Sequence, residues 1–521
     1  MIAVVGALRR GHIGGEEACR PGAAALPKHF RISMMPPRRC PAALFFDIMA
    51  RGIPLPPAEK GRYFMSQYES LMRQQREYFA SGATRPVEAR LDTLKKLKNA
   101  IAEQEDRILA ALKSDLGKSA MEAYETEVGF VLSELSHTIK HLRSWCAPRE
   151  VATPKSCAIS HGSVVCEPLG VCLVMAPWNY PFQLCLVPLI AALSAGNCVV
   201  LKPSAYAPAT SELLDQLLSG LFDPGLCKVV QGGRQENQGL LQQQFDHIFF
   251  TGSPEVGREV LRAAAEHLTP VTLELGGKSP CIVDESADIE LAAKRIAWGK
   301  FLNAGQTCVA PDYLYLHDNI REDFLKALIK WTKTFWGENA LRHPDLPHIV
   351  NRRHFDRLMG LFDEEQVLHG GQSDPDTLQI APTLLTNVDP ASPIMQQEIF
   401  GPLLPILPYH DTDAVIAEIN RRPKPLALYL FANYQVVVKQ VLESISFGGG
   451  CVNDTIMHLC ASELPFGGVG NSGMGRYHGR SGFETFSNSK SILKRSNLMD
   501  VGLRYMPYTD KKLKKMHRYL K

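Results

Sequence analysis

The chain has 521 residues, 45% of them hydrophobic and 21% charged, with a formal net charge of +3. That is material for about two or three domains with a large apolar core, and the near-neutral balance excludes a nucleic-acid-binding role. Thirteen cysteines, an odd number with no CxxC pair, exclude a disulfide framework and a cysteine-based zinc site; no metal is expected, and a reducing, cytoplasmic compartment is.

Residues 1–62 are rich in Arg, Pro, Ala and Gly and lack periodicity, which reads as a disordered or mis-assigned extension, with Met34, Met35, Met49 and Met65 as alternative starts. An Arg-rich composition also suits an organelle-targeting peptide, against which stand Glu16, Glu17 and Asp47. From 67 to 142 apolar residues recur at helical spacing, as in Leu91, Leu94, Leu97 and Ile101, then Ile108, Leu109 and Leu112. Residues 168–201 carry no charged side chain, a length sufficient for a membrane span. Pro177, Pro181, Pro188, Gly196, Asn179 and Asn197 interrupt it, so it reads as a strand over 171–176, a buried helix over 182–194 and a strand over 198–201.

A helix over 208–221 follows, then strands over 228–231 and 247–251, a helix over 254–268 and a strand over 271–275. Strands alternating with helices imply a doubly wound parallel sheet, with ligands beyond the carboxyl ends of its strands. A second alternating block begins with a strand over 281–284, a helix over 289–302, a strand over 313–317 and a helix over 322–336. It continues to about Asn453 as a second α/β domain. The last residues, 510–521, are strongly basic: either a solvated tail or a peripheral contact with an anionic membrane.

Five segments are candidates for chemistry, and a sixth resembles one. The literal GxGxxG at Gly468, Gly470 and Gly473 does not open a helix after a strand and is set aside as a phosphate loop. The better cofactor turn is Thr251-Gly252-Ser253-Pro254: a strand ends, Gly252 turns the chain, Ser253 caps and Pro254 starts a helix whose free N–H groups suit a phosphate. The same pattern also serves as an ordinary strand-to-helix turn. Lys202, after a strand, either reaches a ribose or phosphate or is simply an exposed lysine. Cys308, in Gly305-Gln306-Thr307-Cys308, is a nucleophile candidate on a loop. Glu274, followed by Leu275-Gly276-Gly277, is a candidate base or a paired carboxylate, because a glutamate in an apolar strand needs a role or a partner. Asn179, between Trp178 and Tyr180, is a candidate oxyanion donor or an Asn that bonds its own turn.

Taken with Phe250-Thr251-Gly252-Ser253, Leu273-Glu274-Leu275-Gly276-Gly277-Lys278, Glu398-Ile399-Phe400-Gly401-Pro402 and Pro465-Phe466-Gly467-Gly468, these segments resemble the aldehyde dehydrogenase superfamily, and its class 3 branch in particular, over residues 67–493. The resemblance implies an α/β aldehyde dehydrogenase-like fold. Its parts would be a Rossmann-type NAD(P)-binding domain (63–145 and 172–276), a catalytic domain (277–488), a bridging arm (146–171 and 489–508) that makes a homodimer, and the basic tail (509–521).

It further implies that Cys308 attacks the aldehyde carbon and that Asn179 and the Cys308 backbone N–H hold the oxyanion, each such donor being worth about 2.7–4 kcal/mol. Glu274 would activate the water that releases the acid. The cofactor, NAD, would be held by Trp178, Lys202, Ser204, Thr251, Gly252, Ser253, Gly257, Leu275, Glu398 and Phe400, with Tyr180 and Phe466 on the substrate pocket. Medium- and long-chain aliphatic or aromatic aldehydes are the implied substrates.

Two departures from the family pattern matter. Where many relatives carry a ribose-gripping glutamate after Lys-Pro-Ser, this chain has Ala205, so NADP is expected to be used alongside NAD. Membrane-anchored class 3 relatives end in an apolar helix or a lipidated Cys, whereas this chain ends in Lys521, so tight anchoring is not expected. The competing readings are a CoA-acylating relative and a catalytically silent homologue that retains the fold.

Overall fold

Residues 57–154, 157 and 160–520 are described by a computed structural model. The chain divides into two compact units, 1–60 and 61–521. Of the first, only the opening of the helix Pro57–Ala80 is described, so the reading of residues 1–62 lies almost wholly outside the described residues.

The helices Val87–Glu103 and Glu105–Leu116 bury Leu91, Leu94, Leu97, Ile101, Ile108 and Leu112, the stripe expected from the 3.6-residue period. The chain then runs through Ala120–Ala123, a π-helical turn Tyr124–Val128 and the helix Gly129–Cys146 without a break. A π-turn admits one extra residue, and such turns gather at functional sites; this one carries the fully buried Glu127.

The first large sheet runs Cys227–Val229, Cys198–Lys202, Val171–Met175, His247–Gly252 and Val271–Leu275, all parallel, with Gly473–Met474 added antiparallel at the far edge. Its central strands are buried on both faces, which explains their unbroken apolar runs. The helix Gln183–Ala195 is buried along its whole length. The uncharged run over 168–201 is therefore interior strand, helix and strand, and among the described residues no helix is long and apolar enough to cross a membrane.

The second sheet has seven strands in the order Val367–His369, Thr383–Leu385, Leu403–Tyr409, Tyr313–His317, Pro280–Val283, Ala427–Phe431 and Gly449–Val452. All its pairs are parallel except the first. A small antiparallel sheet joins Arg149–Val151, Ser160–Pro168 and Ser487–Arg495, the last pair in register from Ser487↔Pro168 to Arg495↔Ser160.

Some boundaries shift from the sequence reading. The helix expected over 254–268 stops at Ala265, and Leu268 turns left-handed at φ 55°. Gly473–Met474, inside the segment assigned to the catalytic domain, completes the first sheet instead. The basic end forms the helix Asp510–Tyr519, exposed along most of its length. Thr509 caps it by accepting from the Lys512 N–H at 3.3 Å, Asp510 lies in the first turn and His517 and Arg518 in the last, the charge order the helix dipole favours.

Candidate active site

A cavity of about 1010 Å³ opens at the carboxyl ends of the first sheet's strands. Trp178, Asn179, Thr251, Gly252, Ser253, Glu274, Leu275, Cys308, Glu398, Phe400 and Phe466 all lie on its wall.

Cys308 is reached through a tightly specified loop. After the helix Ile289–Phe301, Asn303 and Ala304 adopt left-handed backbone at φ 52° and 51°. Such a conformation costs a non-glycine residue about 1–3 kcal/mol and persists only where the surroundings over-determine it. The surroundings are on hand. Asn303 N–H donates to Glu122 Oε1 at 2.8 Å, and Asn303 Nδ2 donates to the Asn179 carbonyl at 2.8 Å. Gln306 Nε2 donates to the Asn303 and His348 carbonyls, each at 3.1 Å, while its Oε1 accepts from the Val350 N–H at 3.0 Å.

Cys308 itself is half-buried. Burial and the nearby carboxylates of Glu398 and Glu274 push its thiol up to about 12, so at rest it holds its proton.

Asn179 is buried, and its Nδ2 donates one hydrogen to the Gln306 carbonyl at 3.0 Å. An amide nitrogen carries two hydrogens, so the group is fixed to the nucleophile's loop by one and keeps the other. Beneath it lies a fully buried ion pair, Lys118 Nζ to Glu127 Oε1 at 2.5 Å. Lys118 also donates to the Asn179 carbonyl at 3.1 Å and sits 4.0 Å over the Tyr180 ring. Glu127 Oε2 accepts from the N–H groups of Phe182 and Gln183 at 2.8 and 3.2 Å, satisfying the open start of the helix Gln183–Ala195.

Two carboxylates complete the wall. Glu274, on the strand Val271–Leu275, is buried and neither of its oxygens has a hydrogen-bond partner. Burial raises its carboxyl well above the usual range, opposed by the Arg476 cation. A Cβ at Gly467 would stand 2.9 Å from Glu274 Oε1, so glycine there leaves the carboxylate its room. Glu398 is pushed up to about 8, by burial first and then by the like charge of Asp312. A Cβ at Gly276 would overlap its carboxylate. Its backbone is anchored by Asp312, which pairs with Lys278 and accepts from the Ile399 N–H at 2.9 Å, and by Arg357, which donates to the Ile399 carbonyl at 2.6 Å. Phe400 follows at φ 52° and meets Trp178 edge-on at 5.5 Å.

The cavity suits a nicotinamide dinucleotide. Glu398 Oε1 and Thr251 Oγ1 are buried polar atoms on its wall without partners, the condition expected where hydroxyl groups are to bind. Ser253 accepts from the Val256 N–H at 3.4 Å and starts the helix Pro254–Ala265, whose N-terminus faces the cavity beside Arg258. Gly257 lies behind this wall, where a Cβ would press to 2.8 Å from Leu275 Cδ2; its absence lets helix and strand pack closely.

Other expected site residues lie elsewhere. Lys202 is not the exposed lysine its spacing allowed: it is buried, donating to the carbonyls of Pro203 and Gly232 at 2.7 and 2.6 Å, off the cavity wall. Ser204 Oγ accepts from the Tyr206 N–H at 3.2 Å. Tyr180, expected on the substrate pocket, instead bonds the Thr307 hydroxyl at 2.6 Å, off the wall of this cavity. Gly470 opens a short 3₁₀ turn and Gly473 an edge strand, Gly468 precedes both, and no long helix follows to hold a phosphate.

Sequence reasoning missed Arg357, His354 and Tyr477 on the wall, the Lys278–Asp312 pair, the Lys118–Glu127 pair, and Glu122, whose carboxyl burial raises to about 7. Of these only Lys278 stands in a motif, at the end of Leu273-Glu274-Leu275-Gly276-Gly277-Lys278.

The family model described as "Aldehyde dehydrogenase family" matches residues 62–492. The chain is 46% identical over 449 residues to the 4,4'-diaponeurosporen-aldehyde dehydrogenase of Staphylococcus aureus, covering 86% of this chain and 98% of that protein. It is 47% identical over 445 residues to the dimeric NADP-preferring aldehyde dehydrogenase of Rattus norvegicus, covering 85% and 98%. A solved structure of the substrate-bound state of Staphylococcus aureus AldH superposes with a TM-score of 0.85 at 45% identity, covering 87% of this chain and 99% of that one. With a matching model over most of its length and relatives nearly half identical, the chain belongs to the aldehyde dehydrogenase family and is an oxidoreductase acting on aldehydes with a nicotinamide cofactor.

Proposed function

We propose that the enzyme oxidises medium- and long-chain aliphatic or aromatic aldehydes to carboxylic acids through a covalent intermediate on Cys308, using NAD and also NADP. The observation that carries this reading is the sharing of one cavity wall by a half-buried thiol, an anchored amide, the buried and unpartnered carboxylate of Glu274 and the partly buried carboxylate of Glu398, whose Oε1 has no partner.

Glu274 takes the Cys308 Sγ proton and passes it to solvent, Sγ bonds the aldehyde carbon, and the carbonyl π pair moves to oxygen. Asn179 Nδ2 and the Cys308 backbone N–H donate to that oxyanion. Trp178, Thr251, Gly252, Ser253, Leu275, Glu398 and Phe400 would hold the dinucleotide, Glu398 accepting from ribose hydroxyls. When bound, the nicotinamide supplies the acceptor for the hydride that leaves the substrate carbon. Cys308 is then a thioester. Glu274 takes a proton from water, the water oxygen bonds the acyl carbon, and the carbon–sulfur bond breaks to give the acid and the thiol. A buried, raised carboxyl suits this duty because its carboxylate is a stronger base than that of a free glutamate. The presence of Glu274 favours water over CoA as the acyl acceptor.

Use of NADP rests on Ala205, exposed after the strand Cys198–Lys202, which sets no carboxylate against a 2′-phosphate; the name of the rat relative points the same way. A homodimer is supported by the edge strand Ser487–Arg495, with Ile492 and Leu493 exposed. The terminal helix Asp510–Tyr519, with Leu513, Met516 and Leu520 spaced along one face among lysines, suits a peripheral contact with anionic lipid. The unpaired thiols fit a reducing cytoplasm.

The test is formation of NADH and NADPH at about 340 nm, the absorbance of the reduced nicotinamide, across an aldehyde panel with wild type and Cys308→Ala. Turnover that vanishes in the variant supports the reading. Turnover that survives assigns the nucleophile elsewhere, and acid formation that requires CoA replaces water as the acceptor.

A further inference from the structure

On the helix Gly129–Cys146, away from the active-site cavity, two histidines stand one turn apart. Residues at i and i+4 share a helix face, and the rings of His137 and His141 lie 4.6 Å apart, tilted by 31°. Glu463 reaches them from a segment more than three hundred residues later in the chain, its Oε1 standing 3.3 Å from His137 Nε2. One ligand atom from each residue lies within 4.8 Å of the other two. His137 Nε2 is buried, and no partner meets hydrogen-bond geometry with it.

We propose that His137, His141 and Glu463 form a binding site for a divalent transition metal, zinc above all. Two imidazole nitrogens and a carboxylate oxygen are three ligands zinc accepts, with water as the fourth. With zinc–ligand bonds of about 2.0–2.2 Å, tetrahedral ligand atoms stand about 3.4 Å apart. The set must therefore tighten by about an ångström, and Glu463, with 73% of its side chain exposed, is free to make that movement. Trp145 packs beneath the pair, its ring 5.7 Å from His137 and 6.1 Å from His141, and itself meets Phe483 at 5.8 Å, so the inner side of the site is apolar. The opposing charge is Lys140, which is exposed.

The consequence is mechanical. Phe466, on the cavity wall, follows Glu463 by three residues and pairs with Tyr477. A metal on Glu463 ties the segment entering the cavity wall to the helix Gly129–Cys146. This site does not depend on the assignment of the active-site chemistry.

The experiment is binding of Zn²⁺ and Co²⁺ to the full chain, measured by equilibrium dialysis, cobalt absorption and thermal midpoint. The proteins are wild type, Cys308→Ser, His141→Asn, His137→Ala/His141→Ala and Glu463→Gln. One equivalent should bind to wild type and equally to Cys308→Ser, with cobalt ligand-field bands but no sulfur charge-transfer band, and with a raised midpoint. Affinity should fall at least tenfold in His141→Asn and Glu463→Gln and vanish in the double variant. Binding that survives the double variant, that is lost in Cys308→Ser alone, or that carries a sulfur band overturns the proposal. His141 is half-exposed and Asn keeps its polarity, so an unshifted metal-free midpoint in His141→Asn separates lost ligation from lost fold.

Discussion

Glu398→Gln tests whether the cavity holds its carboxyls in the neutral form. In the folded protein Glu398 is raised from 4.5 to about 8 by burial and by Asp312. A group whose folded pKa is raised contributes stability that is fully present below the unfolded value and is lost as pH rises toward the folded one. The lost stability therefore accumulates between about pH 4.5 and 8, at about 1.4 kcal/mol per pH unit. Over pH 5 to 8 that comes to about 4 kcal/mol. Glutamine keeps the shape and never ionises, so the variant lacks this one loss while all other titrations are shared with wild type. Urea unfolding of both proteins, free of cofactor, at pH 5, 6.5 and 8 reads the difference directly. Glu398→Gln should gain on wild type by about 1.4 kcal/mol per unit, and the KM for the dinucleotide should rise because an amide nitrogen replaces one acceptor oxygen with a donor. A stability difference that stays constant over this range refutes the argument, because it means Glu398 is ionised throughout.

Glu274→Gln should retain a burst of NADH of one per site and lose steady-state turnover by about 10²–10⁴-fold, with the acyl-enzyme trapped by hydroxylamine; a burst lost in equal measure would move Glu274 to an earlier step. Lys118→Met, which leaves Glu127 buried and unpaired, should cost about 3–5 kcal/mol of stability, and Lys118→Met/Glu127→Leu should recover most of it; denaturation of the three proteins closes the cycle, and a single variant costing under about 1 kcal/mol would contradict it. Ala205→Glu should cut kcat/KM with NADP by about tenfold or more, about 1.4 kcal/mol of added repulsion, and leave NAD little changed; equal losses with both cofactors would place residue 205 away from the 2′-phosphate.

What the sequence disclosed follows from period and punctuation. The strand Val271–Leu275 and the helix Pro208–Leu221 were legible to the residue, because β-branched or leucine-rich runs there are bounded by proline and glycine. Cys308, Glu274, Asn179 and Glu398 were legible as motif members; Glu274 and Asn179 meet on one wall because they lie at the carboxyl ends of strands of the first sheet, and loops bring Cys308 and Glu398 to it. The supports were not legible. Glu122 holding Asn303, and Glu127 holding the start of a helix, depend on tertiary geometry that no local pattern encodes. Tyr180 was placed on the substrate pocket by the resemblance, and its hydroxyl bonds Thr307 off the wall of this cavity. The terminal helix was hidden by its charge, since five lysines among twelve residues read as solvated chain until the cap at Thr509 is seen.

The nucleophile's loop is held almost entirely by distant chain: Glu122 lies 181 residues from Asn303, and Asn179 lies 127 from Gln306. Contacts of such separation form late, because their loop-closure entropy must be met before they reward it. A ribosome-bound chain that has not yet exposed residue 306 thus holds at most the five parallel strands of the first sheet, without its edge strand Gly473–Met474 and without a working thiol. Transplanting the Gly305–Cys308 motif alone into another scaffold would carry the sulfur but not its address.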